Sequence, residues 1–321
     1  MFIDSFKQHF ESVADPRQSA KVTYPFFDIL FGSLCAVIAG AHGWFDIREY
    51  LLGHHKWFLE LGMFKAGIPA DDTIARTISA IKPEQFQACF LKWMAAVHTL
   101  TQGELIAIDG KTLRGSYNRE DRSSTIHMIS AYATANKLVL GQLKTDKKSN
   151  EITAIPELLQ LLDLQGALVS IDAMACQTKI AKTIIEQKGD YLLAVKGNQG
   201  NLSKAVQQAF SALRNDASSL EALQTEKQHG RIESRLCQVL DASTLEGNFS
   251  RWKGLKTLAM ITSFRTEKGK PVSMEYRYYI SSKIMSAEQV ASAVREHWAI
   301  ESMHWVLDVS MQEDACQIYK D

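Results

Sequence analysis

The chain of 321 residues is too long for one ordinary compact domain, so we expect a main core with an accessory region. Its 46% apolar and 22% charged residues exclude the disordered, fibrous and coiled-coil classes of protein. The 36 basic and 36 acidic residues cancel, so binding to nucleic acid or to a membrane would depend on local patches of charge.

The cysteines and the first residues of the chain indicate a reducing compartment. The five cysteines are scattered and include no C-x-x-C pair, which argues against structural zinc and against a disulfide framework. The N-terminal residues lack the basic and apolar regions of a secretory signal. The most apolar stretch, Phe26 to Ala41, is shorter than the roughly 20 residues of a membrane-spanning helix. We therefore expect a cytoplasmic protein without a membrane partner, and a buried core helix in this stretch.

Residues 1–100 predict a helical N-terminal domain. Apolar residues recur at steps of three and four from Ile29 to Ile38 and from Phe86 to Val97. Between these segments, a turn at Gly67 is followed by aspartates that are suited to cap an apolar helix. A DNA-reading helix-turn-helix would have this arrangement. Any helix start has the same residue types, so both interpretations stay open.

A second domain, predicted over residues 101–321, alternates strands and helices. Its order is β-β-β-α-β-α-β, and a hairpin joins the second and third strands. This order is typical of a ribonuclease-H-like α/β fold, in which helices flank a mixed sheet. The predicted strands are Leu105–Asp109, Ile126–Thr134, Leu138–Leu143, Ala167–Asp172 and Tyr191–Val195, and the helices between them cover about 150–162 and Lys179–Gln187.

A β-rich insertion and one long helix complete the predicted second domain. Strand-like segments replace helical periodicity at about 222–284. Ser286 then opens a helix, with a glutamine at capping-box spacing, that is predicted to continue to about Val309. One face of this helix would carry His297, Glu301, His304 and Asp308.

Three acidic residues occupy informative positions in this order. Asp109 ends the first predicted strand, Asp172 ends the fourth, and Glu301 lies on the last helix. Ligands collect at the carboxyl ends of strands in α/β proteins, and a helix packed there would bring the third acid to the same edge. Carboxylate oxygens favour Mg²⁺ or Mn²⁺, and a pair of such ions suits in-line displacement at a phosphodiester. We expect the three side chains to meet in a pocket able to hold divalent ions, as in a nuclease or polynucleotidyl transferase.

Each acid also has an ordinary structural interpretation. An aspartate at a strand end commonly serves as a turn or cap residue. A single glutamate on a helix commonly faces solvent. The pattern of residues alone leaves these interpretations open.

Several blocks of sequence are more specific than any single motif. They are LIAIDGKTLRGS from Leu105, KSNEI from Lys148, SIDAMACQ from Ser170, GDYLLAVKGNQ from Gly189 and REHWAIESMHWVLDV from Arg295. In this order, they resemble the H-repeat-associated transposases of bacterial insertion sequences. The resemblance extends upstream through Asp15-Pro-Arg17, Tyr24-Pro25 and Gly67-Ile-Pro69, and so covers nearly the whole chain.

The resemblance implies a DDE transposase with a ribonuclease-H-like core. Asp109, Asp172 and Glu301 would be its catalytic acids and would bind two Mg²⁺ ions, with Mn²⁺ as a substitute. Its substrates would be double-stranded DNA at the insertion-sequence ends and at the target. An activated water would cut the phosphodiester and free a 3′-hydroxyl, which would then attack target DNA. A homodimer is expected when the protein is assembled on DNA, because two ends are paired.

Five further residues are candidate DNA contacts. Lys111 and Arg114 follow the first acid by two and five positions, so contact with phosphate is expected, with a solvated surface as the alternative. Lys196 and Gln199 lie in the loop after the last core strand and would face the same edge. His304 lies one helical turn after Glu301 and would support it or approach the scissile phosphate.

One departure from the family pattern leaves alternatives open. Family members usually continue with an Arg-rich stretch after the pair that corresponds to Glu313-Asp314, whereas this sequence ends soon after it. The first alternative is therefore a truncated, catalytically inactive DNA-binding remnant. The second is a metal-dependent DNA nuclease without strand transfer.

Overall fold

The computed structural model describes residues 2–98, 103–117, 125–145, 151–213, 220–228, 231–267 and 271–315, which fall into two compact units. The described residues of the first unit are 2–97, 113–117 and 304–315, and those of the second are the remainder. One division between the units falls between Val97 and His98. The two later segments, predicted within the second domain, group with the first unit, where the Arg114 backbone N–H donates to Asp314 Oδ1 at 3.1 Å.

The first unit is built from helices packed around aromatic side chains. Phe6 stacks on Phe10 with ring centroids 4.2 Å apart and meets Trp93 edge-on at 5.3 Å, which joins the first helix to the sixth. These aromatic contacts explain why the helical periodicity in this region is rich in phenylalanine. The helices are α1 Phe2–Phe10, α2 Phe26–Ile38, α3 Trp44–Gly53, α4 His55–Glu60, α5 Asp71–Ser79 and α6 Pro83–Val97.

Helix α2 lies in the apolar stretch that predicted a core helix. Ile29, Leu30 and Phe31 are buried in it, so the prediction is confirmed. Across the described part of the chain, no helix has both the length and the apolar character needed to cross a membrane.

Helix α5 begins differently from the prediction of an aspartate cap. Ala70 is its N-cap and makes no side-chain capping bond, and Asp71 and Asp72 lie in the first turn. The expected cap is therefore wrong by one position. The two carboxylates still stabilise the start of the helix, because negative charge is favourable near a helix N-terminus.

The second unit contains one nine-stranded mixed sheet with the order β3-β2-β1-β4-β5-β9-β8-β7-β6. Strand β4 pairs in parallel with β1 and β5, and β2 pairs antiparallel with β3. The predicted α/β class with a ribonuclease-H-like mixed sheet is confirmed. The strands are β1 Leu105–Leu113, β2 Ile126–Ala133, β3 Leu138–Thr145, β4 Leu168–Ile171, β5 Asp190–Val195, β6 Leu220–Gln228, β7 Arg231–Asp241, β8 Thr257–Glu267 and β9 Ser273–Ser281.

Helices cover both faces of this sheet. Successive residues of β1 and of β4 point to opposite faces of the sheet, because side chains alternate along a strand. Ile108 and Ile171 belong to the core formed with three helices, whereas Leu105 and Leu168 pack with residues of a fourth, including Val290. The first three are α7 Glu151–Gln160, α8 Thr178–Glu186 and α9 Gly200–Leu213; the fourth is α10 Ala287–His297, and α11 Ala299–Val309 follows it.

The predicted insertion at about 222–284 continues the same sheet. Its strands extend from Leu220 to Ser281, and β9 pairs antiparallel with β5 through Leu192↔Ser281 to Val195↔Tyr278. The sequence identified strand character but not this pairing, since pairing partners are distant in the chain.

The single helix predicted from Ser286 to Val309 is two helices. The capping box at Ser286 and Gln289 is present, but α10 ends at His297 with Trp298 as its C-cap, and α11 starts at Ala299. Helix α10 packs on β1, β4 and the outer strands, whereas Ile300 of α11 packs on Ala107 and Tyr132. His297 is therefore the last residue of α10, whereas Glu301, His304 and Asp308 lie on α11.

Candidate active site

Two of the three predicted acids lie at adjacent positions of neighbouring strands. The parallel register of β1 and β4 pairs Leu105 with Leu168 and ends at the pair Ile108 and Ile171. Asp109 and Asp172 are the next residue on each chain. The sheet itself therefore brings the two carboxylates side by side at the carboxyl end of β4.

Strand β1 does not end at Asp109, contrary to the prediction. It continues to Leu113, so Asp109 is in its middle. The sequence suggested an end at Gly110 because glycine is rare inside strands. The prediction of an edge position still corresponds to the point where pairing with β4 ends.

Asp172 also has the ordinary role that its sequence position allowed. Its Oδ1 accepts the backbone N–H groups of Met174 at 3.1 Å and Ala175 at 3.4 Å, and so caps a short 3₁₀ turn. The side chain is solvent-exposed. One carboxylate oxygen is thus used to fix the orientation of the group at the edge of the sheet.

The third acid approaches the same face through helix α11. Ala107 of β1 packs against Ile300, and Asp109 lies two residues further along the same strand face. Glu301 directly follows Ile300 and is solvent-exposed. The packing of one apolar residue therefore sets where the glutamate lies along the sheet.

A cavity of about 340 Å³ opens at this edge. Asp172 and Glu301 both line it, together with Lys196 and His297. Lys196 follows β5 and is exposed, so a cationic side chain lines the same cavity as the two carboxylates. The cavity therefore has both carboxylates, which suit a cation, and a cationic lysine, which suits an anionic group.

The electrostatics of Asp109 reflect this crowding of acids. Burial is the largest cause that raises the pKa of its carboxyl from 3.8 to about 6, and the charges of Asp172, Glu301 and Glu151 raise it further. The backbone N–H of Gly110 acts in the opposite direction and lowers the pKa. Asp172 and Glu301 thus both act electrostatically on Asp109, as expected where carboxylates converge.

The side chains do not close into the metal-binding pocket that the sequence predicted. Among the described residues, no group of three or more His, Cys, Asp or Glu side chains is arranged to hold a metal ion. The donor chemistry nevertheless suits a hard divalent cation, since the acids offer only carboxylate oxygens and repel one another.

The predicted DNA contacts differ in their exposure. Lys196 is exposed, and Gln199 is half-buried with its Nε2 donating to Gln177 Oε1 at 3.2 Å. Lys111 and His304 are buried, so their side chains are not on the exposed surface where a duplex would contact them. The first unit contains Arg114 and His304, whereas the second contains Lys111, Lys196 and Gln199. Arg114 is exposed, and its guanidinium lies 3.7 Å from the Asp314 carboxylate.

Two features near the acids were not found by sequence reasoning. His297 Nδ1 lies 2.7 Å from Ser170 Oγ, and burial lowers the pKa of this histidine while the Asp172 charge opposes the effect. His127 and Glu151 form a buried hydrogen bond next to β1. Glu151 lies within a block that carries the family resemblance, but no spacing rule marks it.

The comparisons with known proteins cover almost the whole chain. The family described as "Transposase DDE domain" matches residues 100–321, and "DDE_Tnp_1-associated" matches residues 7–94. "H repeat-associated putative transposase YhhI" of Escherichia coli (strain K12) is 47% identical over 325 residues, which cover 99% of this chain and 86% of that protein. "Putative transposase YncI" of Escherichia coli O157:H7 is 48% identical over 329 residues, 99% of this chain and 83% of that protein.

Among solved structures, the piggyBac transposase synaptic complex with hairpin DNA has a TM-score of 0.47 at 12% identity. The alignment covers 98% of this chain and 73% of that chain.

Proposed function

We propose that this chain, which belongs to the H-repeat-associated family of DDE-domain transposases, cleaves the DNA ends of its own insertion sequence and joins them to target DNA. The reaction would depend on Mg²⁺, with Mn²⁺ as a substitute. Asp109, Asp172 and Glu301 would be the catalytic acids.

The observation that carries this proposal is the strand register. Asp109 and Asp172 follow directly after the last paired residues of two adjacent parallel strands. Glu301 shares a cavity with Asp172 and acts electrostatically on Asp109. Under this proposal, three separate segments of the chain would contribute one acid each to a single sheet edge, which would suit phosphodiester chemistry with hard cations.

The donor set fits divalent cations by its chemistry. Carboxylate oxygens are preferred ligands of Mg²⁺ and Mn²⁺. Positive charge would offset the burial and the repulsion from neighbouring carboxylates that raise the pKa of Asp109. When bound, two such ions would help to activate the attacking oxygen and to stabilise the leaving oxygen of the phosphodiester. The three carboxylates would hold them, with the Asp172 carboxylate oriented by the 3₁₀ turn that it caps.

The surrounding residues would orient the DNA. Lys196 lies exposed on the cavity wall and would contact a phosphate oxygen of the DNA. His297, held by Ser170, would fix the cavity wall between Asp172 and Glu301. Gln199 and Arg114 are further DNA contacts under this proposal, and an assembly with two chains would hold two DNA ends.

The decisive experiment incubates the purified full chain with Mg²⁺ and with duplexes that carry the two ends of its own element. Wild type is expected to nick the ends and to join them to a target plasmid. Asp109→Asn is expected to bind the duplex and leave it intact. Asp163→Asn is the matched control, because Asp163 is exposed and its Oδ1 accepts only the nearby Gln165 N–H among the described contacts, at 3.0 Å.

The same assay separates the alternatives. A remnant without catalysis would bind end DNA and never nick it. A nuclease would nick the ends and release a 3′-hydroxyl but would yield no joined product. Equal cleavage by wild type and Asp109→Asn would contradict the assignment of the acids.

A further inference from the structure

A buried series of hydrogen bonds connects three elements beside the strand that carries Asp109. Thr112 Oγ1 of β1 lies 2.8 Å from His127 Nδ1 of β2, and His127 Nε2–H donates to Glu151 Oε1 at the start of α7. His127 is 2% exposed and Glu151 is 6% exposed. A carboxylate is a stable buried group only when it is paired in this way, so the contact is a strong constraint on all three elements.

Gly110 lets the β1 backbone approach this pair. A Cβ at position 110 would lie 2.5 Å from Glu151 Oε1 and 2.6 Å from His127 Nε2, well inside the distance of ordinary atomic contact. Any larger residue would therefore force the Glu151 and His127 side chains to move. Since Gly110 directly follows Asp109, the two polar side chains are fixed against the backbone beside the candidate catalytic acid.

The pair lies on the opposite face of β1 from the Asp109 side chain. Gly110 and Ile108 share the face that packs against α7, whereas Asp109 shares the Ala107 face that packs against Ile300. The pairing of β1 with β4 ends at Ile108. Beyond that point, His127 and Glu151 are placed to support the β1 backbone on the face that Gly110 and Ile108 share. The charge of Glu151 also raises the pKa of Asp109.

We propose that His127 and Glu151 are positioning residues, which hold the β1 backbone at Gly110 and so keep the Asp109 carboxylate at the same sheet edge as Asp172. The consequence for catalysis rests on the proposed function. The effect of the pair on the β1 backbone does not rest on the proposed function, and it can be measured separately.

The test compares Glu151→Ala with Glu157→Ala, since Glu157 is an exposed glutamate on the same helix. Hydrogen exchange of the backbone amides in residues 105–113 is expected to accelerate only in Glu151→Ala. Calorimetric titration with Mn²⁺ is expected to show affinity weakened by about tenfold, as for other groups that orient metal ligands. Cleavage of the element ends is expected to lose kcat, with KM for DNA within about twofold of wild type.

Two conservative variants keep the test informative if Glu151→Ala folds poorly. Glu151→Gln retains an oxygen that accepts from His127 and is expected to restore slow exchange and most of the Mn²⁺ affinity. Thr112→Val removes only the hydroxyl at the other end of the series, and we expect an intermediate change in exchange and Mn²⁺ affinity.

Three results would overturn the inference. Unchanged exchange in β1 in Glu151→Ala would show that the pair does not hold the strand. Faster exchange with normal Mn²⁺ affinity and normal kcat would show that the pair only stabilises the fold. A loss in Glu151→Gln as complete as in Asp109→Asn would make Glu151 a direct ligand. If wild type neither binds Mn²⁺ nor cleaves, the proposed function fails, and the exchange comparison alone then decides whether the pair holds β1.

Discussion

Replacing Asp109 by asparagine is expected to stabilise the metal-free protein while it abolishes cleavage. The carboxyl of Asp109 has its pKa raised from 3.8 to about 6 by burial and by neighbouring carboxylates. The folded state therefore favours the protonated form more than the unfolded state does. The favourable contribution is complete below pH 3.8 and is lost as the pH rises through about 6.

The magnitude follows from the difference between the two pKa values. Because one pH unit corresponds to about 1.4 kcal/mol, ionised Asp109 lowers the free energy of unfolding by about 3 kcal/mol at pH 8. Asparagine is nearly isosteric, cannot ionise and retains an oxygen that accepts the Gly110 N–H. We therefore expect Asp109→Asn to recover much of this energy at pH 8, and about half as much at pH 5.

Urea unfolding in the presence of EDTA, followed by circular dichroism at pH 5 and pH 8, measures this difference. Wild type, Asp109→Asn and the exposed control Asp163→Asn are compared at each pH. The control removes the effects of other titrating groups, since only the difference between variants is used. If Asp109→Asn is no more stable than wild type at pH 8, or if its advantage grows at pH 5, burial does not raise the pKa of Asp109 as described.

Four further expectations follow from the site. Ile300→Ala removes a fully buried side chain from its contact with Ala107, and should lower the free energy of unfolding by about 2–4 kcal/mol in urea melts and reduce cleavage. Lys196→Ala should weaken DNA binding and reduce the slope of log affinity against log salt by about 1 in fluorescence titrations. Ser170→Ala removes the 2.7 Å contact with His297 and should cost about 1 kcal/mol in the same melts. EDTA should abolish end cleavage in gel assays, and added Mn²⁺ should restore it; cleavage that persists in EDTA would contradict metal dependence.

The sequence predicts the central sheet well because its signals are local. The runs at 105–109, 167–172 and 191–195 are short, apolar and bounded by turn residues, and each contains a strand of the core. The order of these strands along the chain is enough to specify the ribonuclease-H-like class. The positions of Asp109 and Asp172 follow from the same local signals.

The errors concern features that depend on tertiary packing. The helix after Ser286 has continuous apolar periodicity, yet it breaks at Trp298 because α10 and Ile300 pack on different parts of the sheet. Residues 113–117 and 304–315 group with the helical unit, and only a contact such as that of Arg114 with Asp314 reveals this. No local pattern distinguishes these outcomes.

At the candidate site too, some features could be predicted from the sequence and others only from the folded structure. The identities of the three acids came from strand position and family resemblance, whereas the buried His127–Glu151 pair is visible only once β1, β2 and α7 are assembled. Lys111 was predicted as a DNA contact from its distance along the chain to Asp109. Its burial shows that sequence proximity does not determine exposure.

Anomalous scattering from crystals grown with Mn²⁺ and end DNA tests the central claim most directly. We expect manganese peaks within coordination distance of the carboxylates of Asp109, Asp172 and Glu301, with the DNA phosphate beside them. Peaks located elsewhere, or manganese bound by the two aspartates while Glu301 remains in solvent, would contradict the assignment of the three acids to one catalytic site.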